Sequence, residues 1–407
     1  MRIRSVTCFY DPKFNSDPAE LSRIAELAHT ASDAFQQAGF EVQTTRLVTT
    51  AFPDLLPEKS IEAAQEYAQG MEAAAIKAEF AFLSLGPASP DDLASYALIP
   101  EMLKVTESSF FSGIMAQRPG GFDLAAVRAC ADVIANSSDI TPDGFANLRF
   151  TTLGNVPAFT PFFPAAYHAG GKPAFGLALE AADVADEAFR GAGSLQEAQQ
   201  RLVSALDDYA KELTQVADRI AEQYQVDFKG MDFSPAPFPE ERCSLAGAVE
   251  LLGAQIGQYG AVAAAAVLAD ALDQGGWQRA GFNGLMLPVL EDAILAQRAA
   301  EGVLSIKDLL LFSTVCGTGL DTVPLPGDAT AEQIYPVLLD IAALSLRLDK
   351  PLTARLMPVP GKQAGDMTEY DFAYFKNGGV LALPDTGVGG LLAGNESFDL
   401  KPRHHYR

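Results

Sequence analysis

The chain has 407 residues, 48% of them hydrophobic and 20% charged, enough apolar content for the large core of a folded soluble protein. Asp and Glu number 52 against 29 Lys and Arg, a formal net charge of -23. Such a chain repels phosphate backbones and anionic lipid, which excludes nucleic acid and membrane surfaces as expected partners.

In chain order, Arg2–Phe9 alternates as a strand, and Asp17-Pro18-Ala19-Glu20 carries helix-start signals: Asp as N-cap, Pro at the first helical position, Glu three residues on. Leu21, Ile24, Leu27 and Ala28 form the apolar stripe of that helix, Gly39 ends it, and FEVQTTRL follows as a strand. A helix over Ile61–Lys77, a strand FAFLSLG and a helix over Asp91–Leu103 repeat the pattern. Then come an extended SSFFSGIMA, a helix over Asp123–Ala135 and a strand LRFTTL. This alternation predicts an α/β fold with much parallel sheet.

Ser194–Gln225 is the longest helical pattern, with Leu195, Leu202, Leu206, Tyr209, Leu213, Val216 and Ile220 at helical spacing. The strand QVDFKGMDF leads from it into the proline cluster SPAPFP. The most apolar region, Gly247–Leu272, is interrupted by Glu250, Gln255, Gln258 and Asp270, so it reads as buried helix rather than a membrane span. GLMLPVL is a short strand candidate. Helices are expected from Ser305, with Asp308 three residues on, and from Thr330, with Gln333 in the capping-box position; Leu352–Val359 reads as a strand. No linker is long or polar enough to divide the chain, so residues 1–407 are expected to form one continuous body, with residues 377–407 as a loop-rich tail.

Cys8, Cys130, Cys243 and Cys316 lie far apart with no C-x-x-C pair, which argues against a cysteine zinc site and for reduced thiols in a cytoplasm. The opening MRIRSVTCFYDP lacks the apolar run of a signal peptide. In VCGTGLDTVPLPGD, Gly317 and Gly319 fit a G-x-G start, but Thr322 stands where a dinucleotide motif needs its third glycine, and a helix precedes rather than follows. Leu309, Phe312 and Cys316 share a helical face, so Cys316 is expected to point into a core, and a glycine there to end the helix. Asp321 emerges just after that turn.

Other polar residues sit at expected element ends. His168 lies in the proline- and glycine-rich loop FTPFFPAAYHAGGK after a strand, where α/β proteins place sites. Glu291 and Asp292 follow GLMLPVL, a placement that suits metal ligation, acid–base work or simple helix capping. Ser234 lacks the G-x-S-x-G elbow of serine hydrolases. Asn283, Arg355 and Asp366 complete the set of candidate ligand-binding groups, Arg355 as a carboxylate clamp.

The blocks DFSPAPFPEERCSLAGAVELLG, VCGTGLDTVPLPGD and TARLMPVPGKQAGDM resemble, in order and spacing, those of an uncharacterised prokaryotic family, domain-of-unknown-function family seven-one-one. PFFPAAYHAGG resembles a further family segment, and the likeness is weak before Thr141. The resemblance implies a large α/β barrel similar to the pyruvate formate-lyase-like glycyl-radical fold, with a loop inside it, in a cytoplasmic homo-oligomer. It does not carry radical chemistry. That needs an Arg-Val-x-Gly-Tyr-type loop near the C-terminus, where this chain has DTGVGGLLAGN.

The expected activity is that of an enzyme acting on a small polar or anionic metabolite. His168, Asp321, Glu291 and Asp292 would be the acid–base groups, Asn283, Arg355, Asp366 and Ser234 the ligand contacts, and a divalent metal an expected aid. The alternatives are a non-catalytic binding or regulatory protein, and a scaffold that assembles through Ser194–Gln225.

Overall fold

A computed structural model describes residues 1–14 and 19–403, and at Cys316 the backbone alone. The expected N-cap Asp17 and Pro18, the terminal His404 and His405, and the orientation of Cys316 therefore lie outside the described residues.

The first half alternates as its pattern predicts. It runs β1 (Arg2–Tyr10), α1 (Glu20–Gln37), β2 (Val42–Ala51), α2 (Ile61–Lys77), β3 (Phe82–Ala88), α3 (Leu98–Leu103), β4 (Ser109–Gln117), β5 (Gly121–Asp123), α4 (Leu124–Ser137) and β6 (Phe150–Gly154). Local signals set several of these ends: Ser60 caps α2 and Asp123 caps α4 through their side chains. The helix expected over Asp91–Leu103 is instead a 3-10 stretch, Pro90–Ala97, itself broken where Asp92 leaves helical geometry at φ -140°, followed by α3.

The second half holds β7 (Ala174–Glu180), α5 (Ala182–Phe189), α6 (Leu195–Tyr224), β8 (Asp227–Asp232), α7 (Leu245–Glu250), α8 (Ala261–Gln274), α9 (Ala293–Ala300), α10 (Ile306–Cys316), β9 (Gly319–Pro326), α11 (Ala331–Arg347), β10 (Leu352–Val359) and β11 (Ser397–Phe398). Both expected capping boxes form, Ser305 with Asp308 on α10 and Thr330 with Gln333 on α11. β7 has no sequence signature because all seven of its residues are buried, so it shows no alternation. GLMLPVL joins no ladder; it carries only an isolated bridge from Pro288 to Asp321. The tail is tied down through β11, which pairs with β5, and through Arg118, which donates to Leu400 O at 2.7 Å. Among the described residues, no helix is long and apolar enough to cross a membrane.

The eleven strands of the described residues form one mixed sheet in the order β8-β7-β1-β2-β3-β4-β6-β10-β9, with β5 paired to β4 and β11 to β5. β1, β2, β3, β4 and β6 run parallel; β7–β8 and β10–β9 are parallel pairs that run against them. The segment after α8 touches both edges. Ala280 N donates to Met231 O of β8 at 3.0 Å, and Val289 N donates to Asp321 O of β9 at 3.0 Å.

Residues 160–166 of the β6–β7 connection are buried, unusual for a loop. The sheet satisfies its carbonyls: Thr7 Oγ1 donates to Pro161 O at 2.8 Å and Ser84 Oγ to Ala166 O at 2.8 Å. Gly319 opens β9 at φ +109°, where a Cβ would sit 2.0 Å from Thr353 O, so only glycine lets β9 approach β10 there. Gly317, by contrast, is extended, and α10 ends without a left-handed residue at its C-cap.

Candidate active site

Two β-bulges place charged residues in the wall of one cavity. Between β1 and β7 the pairing shifts from Ile3 to Ser5, leaving Arg4 as the extra residue. Between β9 and β10, Leu320 pairs Ala354 and Val323 pairs Leu356, so Asp321 and Thr322 together oppose Arg355. Bulges of this kind re-aim side chains. Thr322 carries φ +39°, an outlying conformation for a β-branched residue, next to the buried Asp321 carboxylate.

The cavity holds about 130 Å³. Its charged lining consists of Arg4, Arg46, Arg355, Glu291 and Asp321; its apolar lining is dominated by rings, among them Phe82, Phe110, Phe163 and Phe282. Arg355 bridges both carboxylates, with Nε 2.5 Å from Asp321 Oδ1 and an Nη 2.9 Å from Glu291 Oε1. Arg4 takes the other Glu291 oxygen at 2.5 Å and Glu180 at 2.9 Å. Gln43 donates to the second Glu180 oxygen at 2.7 Å.

Arg46 differs from these. Its residue is 8% exposed, its Nε donates to Thr44 Oγ1 at 3.0 Å, and its guanidinium lies 5.6 Å and 5.1 Å from the ring centres of Phe82 and Phe163. Among the described residues no carboxylate lies within salt-bridge distance of it. Burial, and then the neighbouring Arg4, pull its proton affinity down to about 9, so it remains charged at neutral pH.

The environment drives the two cavity carboxylates apart. Burial opposes ionisation of Glu291, but Arg4 and Arg355 outweigh it and hold the group below the ordinary glutamate value. Burial raises Asp321; Arg355 offsets this only in part, and the charge on Glu291 raises it further. One carboxylate is thereby kept ionised while its neighbour holds a proton more readily, a pattern that separates base from acid in catalytic pairs.

Of the candidates, Glu291, Asp321 and Arg355 come together; the others do not join them. Asp292, the very next residue, points away and caps α9, its Oδ1 accepting from Ile294 N at 3.0 Å and from Ser244 Oγ at 2.5 Å. Ser234 and Asn283 belong to a buried clasp around Asp232. Ser234 Oγ donates to Asp232 Oδ1 at 2.6 Å, and Asn283 N donates to the same oxygen at 2.9 Å. That clasp fixes neighbouring Phe282 in the cavity wall but does not reach into it.

His168 is buried behind the loop. Nδ1 accepts from Gly170 N at 2.6 Å, and Nε2, 3.2 Å from Lys172 O, is its donor; burial lowers its pKa. Asp366 is exposed and accepts from Gln363 N at 2.7 Å in a turn. The residues that sequence reasoning missed are Arg4 and Arg46. Each is an arginine within a strand that is partly or wholly buried, RIRSVTCFY and VQTTRLVTTA, and that was their signal. No group of three metal-ligating side chains occurs among the described residues.

A family model described as Uncharacterised ACR (DUF711) matches residues 1–373, so the match includes Arg4 and Arg46 as well as the second half. A UPF0210 protein of Pyrobaculum aerophilum is 36% identical over 268 residues, 63% of this chain and 58% of that protein. UPF0210 proteins of Methanocaldococcus jannaschii and Neisseria gonorrhoeae are 27% and 26% identical over 380 and 362 residues, covering 86% and 85% of this chain and 81% and 80% of theirs. The aligned part of the chain spans less than two thirds of the two Pyrobaculum proteins it matches at 36% and 35% identity.

Proposed function

The chain belongs to this uncharacterised DUF711 family, and we propose, from its own geometry, that it is an enzyme that binds a small polar or anionic metabolite in the interior cavity and moves a proton with Asp321. The single observation that carries this reading is the buried Glu291–Arg355–Asp321 arrangement, with the proton affinities of its two carboxylates driven in opposite directions. Asp321 is the acid–base group, Arg355 orients it, and Glu291 with Arg4 holds Arg355 in place. Positive charge in the cavity comes from guanidiniums, so the chemistry needs no metal; two carboxylates already shared among arginines are poor ligands for a dication.

The fold is read as an α/β barrel around this cavity, the form implied by the resemblance to the pyruvate formate-lyase-like group. Support comes from the two hydrogen-bonded ends of residues 278–289, whose bridges to β8 and to β9 are both parallel, as a strand filling the gap would require. The buried loop 160–166 then occupies the interior beside the ligand.

A second reading, a binding or regulatory protein, is favoured by one observation: both carboxylates already have arginine partners. One experiment separates the two. The protein is incubated with a defined mixture of small metabolites, and consumption is followed by mass spectrometry for wild type and for D321N. An enzyme consumes a compound and loses ~10²- to 10⁴-fold of that rate in D321N. Equal consumption by D321N, or binding without consumption, defeats the catalytic reading.

A further inference from the structure

We propose that the ligand of this cavity is a compact organic monocarboxylate with an apolar body, and that Arg46 is its receptor. The inference rests on the cavity being the ligand site and names the class of ligand. Arg4 and Arg355 between them take Glu180, Glu291 and Asp321; Arg46, more than nine-tenths buried, faces the same cavity, and among the described residues its terminal nitrogens have no hydrogen-bond partner. A buried charge that no carboxylate contacts directly is costly, and an incoming anion lowers that cost.

The planar fork of an arginine matches a carboxylate in two parallel hydrogen bonds. A phosphomonoester fits worse. It brings about -1.5 to -2 charges, which one free guanidinium cannot balance beside two resident carboxylates. The rings around Arg46 call for an apolar body. The cavity of about 130 Å³ is close to the ~150 Å³ apolar cavity that accommodates benzene. The low proton affinity of Arg46 agrees: an anion would raise it again.

Benzoate serves as the probe, with its neutral counterpart benzamide, with acetate and with inorganic phosphate, in thermal-shift and calorimetric titrations of wild type, R46M, R46K and D321N. The expected result is a saturable rise in Tm with benzoate, a smaller one with acetate and none with benzamide or phosphate. Affinity for benzoate should fall on the order of 10- to 100-fold in R46M, the loss of a charge-assisted contact, and remain in D321N. Free R46M should be as stable as wild type or more so, since it loses a buried charge that no carboxylate contacts directly; if it does not fold, R46K, which keeps the charge but not the fork, takes its place.

Equal responses to benzoate and benzamide, no response to benzoate, or unchanged affinity in a folded Arg46 variant overturn the proposal. Benzoate binding with no carboxylate consumed defeats the catalytic reading and leaves this one standing. Turnover of a neutral compound, with no response to benzoate, does the reverse.

Discussion

At the scale of single residues, the same side-chain chemistry takes different roles according to what surrounds it. Glu291 and Asp292 are adjacent acids, yet one meets two arginines in a cavity and the other meets backbone amides at a helix start. His168 shows the same divergence: a histidine on a strand-end loop suggests catalysis, but its two ring nitrogens are used in tying the loop to itself. Because burial lowers its pKa below the ordinary 6.5, the unfolded chain binds this proton more readily than the folded one. Its contribution to stability is complete above about pH 6.5 and is lost as pH falls from there toward the lowered folded value. Acidification through that window should therefore destabilise wild type by up to about 1.4 kcal/mol per pH unit at this group. Urea midpoints between pH 7.5 and 5.5 should fall more steeply for wild type than for His168→Asn, which has no such proton to take up. Parallel slopes would show that His168 does not carry this dependence.

Elements whose limits depend on local signals were legible in the sequence. α2 and β10 have the boundaries that their patterns indicated, and the capping boxes of α10 and α11 could be read off directly. Glu291, Asp321 and Arg355 were legible as polar groups at element ends. The bulges at Arg4 and at Asp321–Thr322 were not, because a bulge is a property of two paired strands and neither sequence alone records it. Helix capping was among the roles that the position of Asp292 suited, but its tie to Ser244, 48 residues away, was hidden. That link makes Asp292 a junction between the starts of α7 and α9: it accepts from Ser244 Oγ and Ala246 N on one side and from Ile294 N and Leu295 N on the other. Asp292→Ala should cost about 2–4 kcal/mol, a lost cap plus buried donors left unpaired. Chemical unfolding measures this, and benzoate titration of the folded variant should remain near wild type. A variant of normal stability that no longer binds would place Asp292 in the site instead.

Across the whole molecule, the question is what holds the two outer strands β8 and β9. An open sheet leaves its edge amides to solvent, and proteins protect such edges with charge, bulges or cover. Here the flanking strands run against the central five, and residues 278–289 bond to both edges in the direction that each requires. The cavity draws residues from β1, β2, β3, β4, β6, β9 and β10, from the buried loop, and from Phe282 and Met286 of the segment that bonds to both edges, so its walls depend on that segment staying in place. A distinct exchange pattern follows. Met231 N donates to Gln278 O at 2.8 Å and Thr318 N to Leu285 O at 3.0 Å, and Ala280 N and Val289 N complete the two seams. In hydrogen-exchange mass spectrometry, peptides carrying these amides should be protected as long as those of central β1 and β2, opening only with the global transition. Exchange at the seams faster by a factor of ~100 or more, an opening easier by about 2.7 kcal/mol, would mean that the wall opens on its own. The cavity would then be reached through that seam.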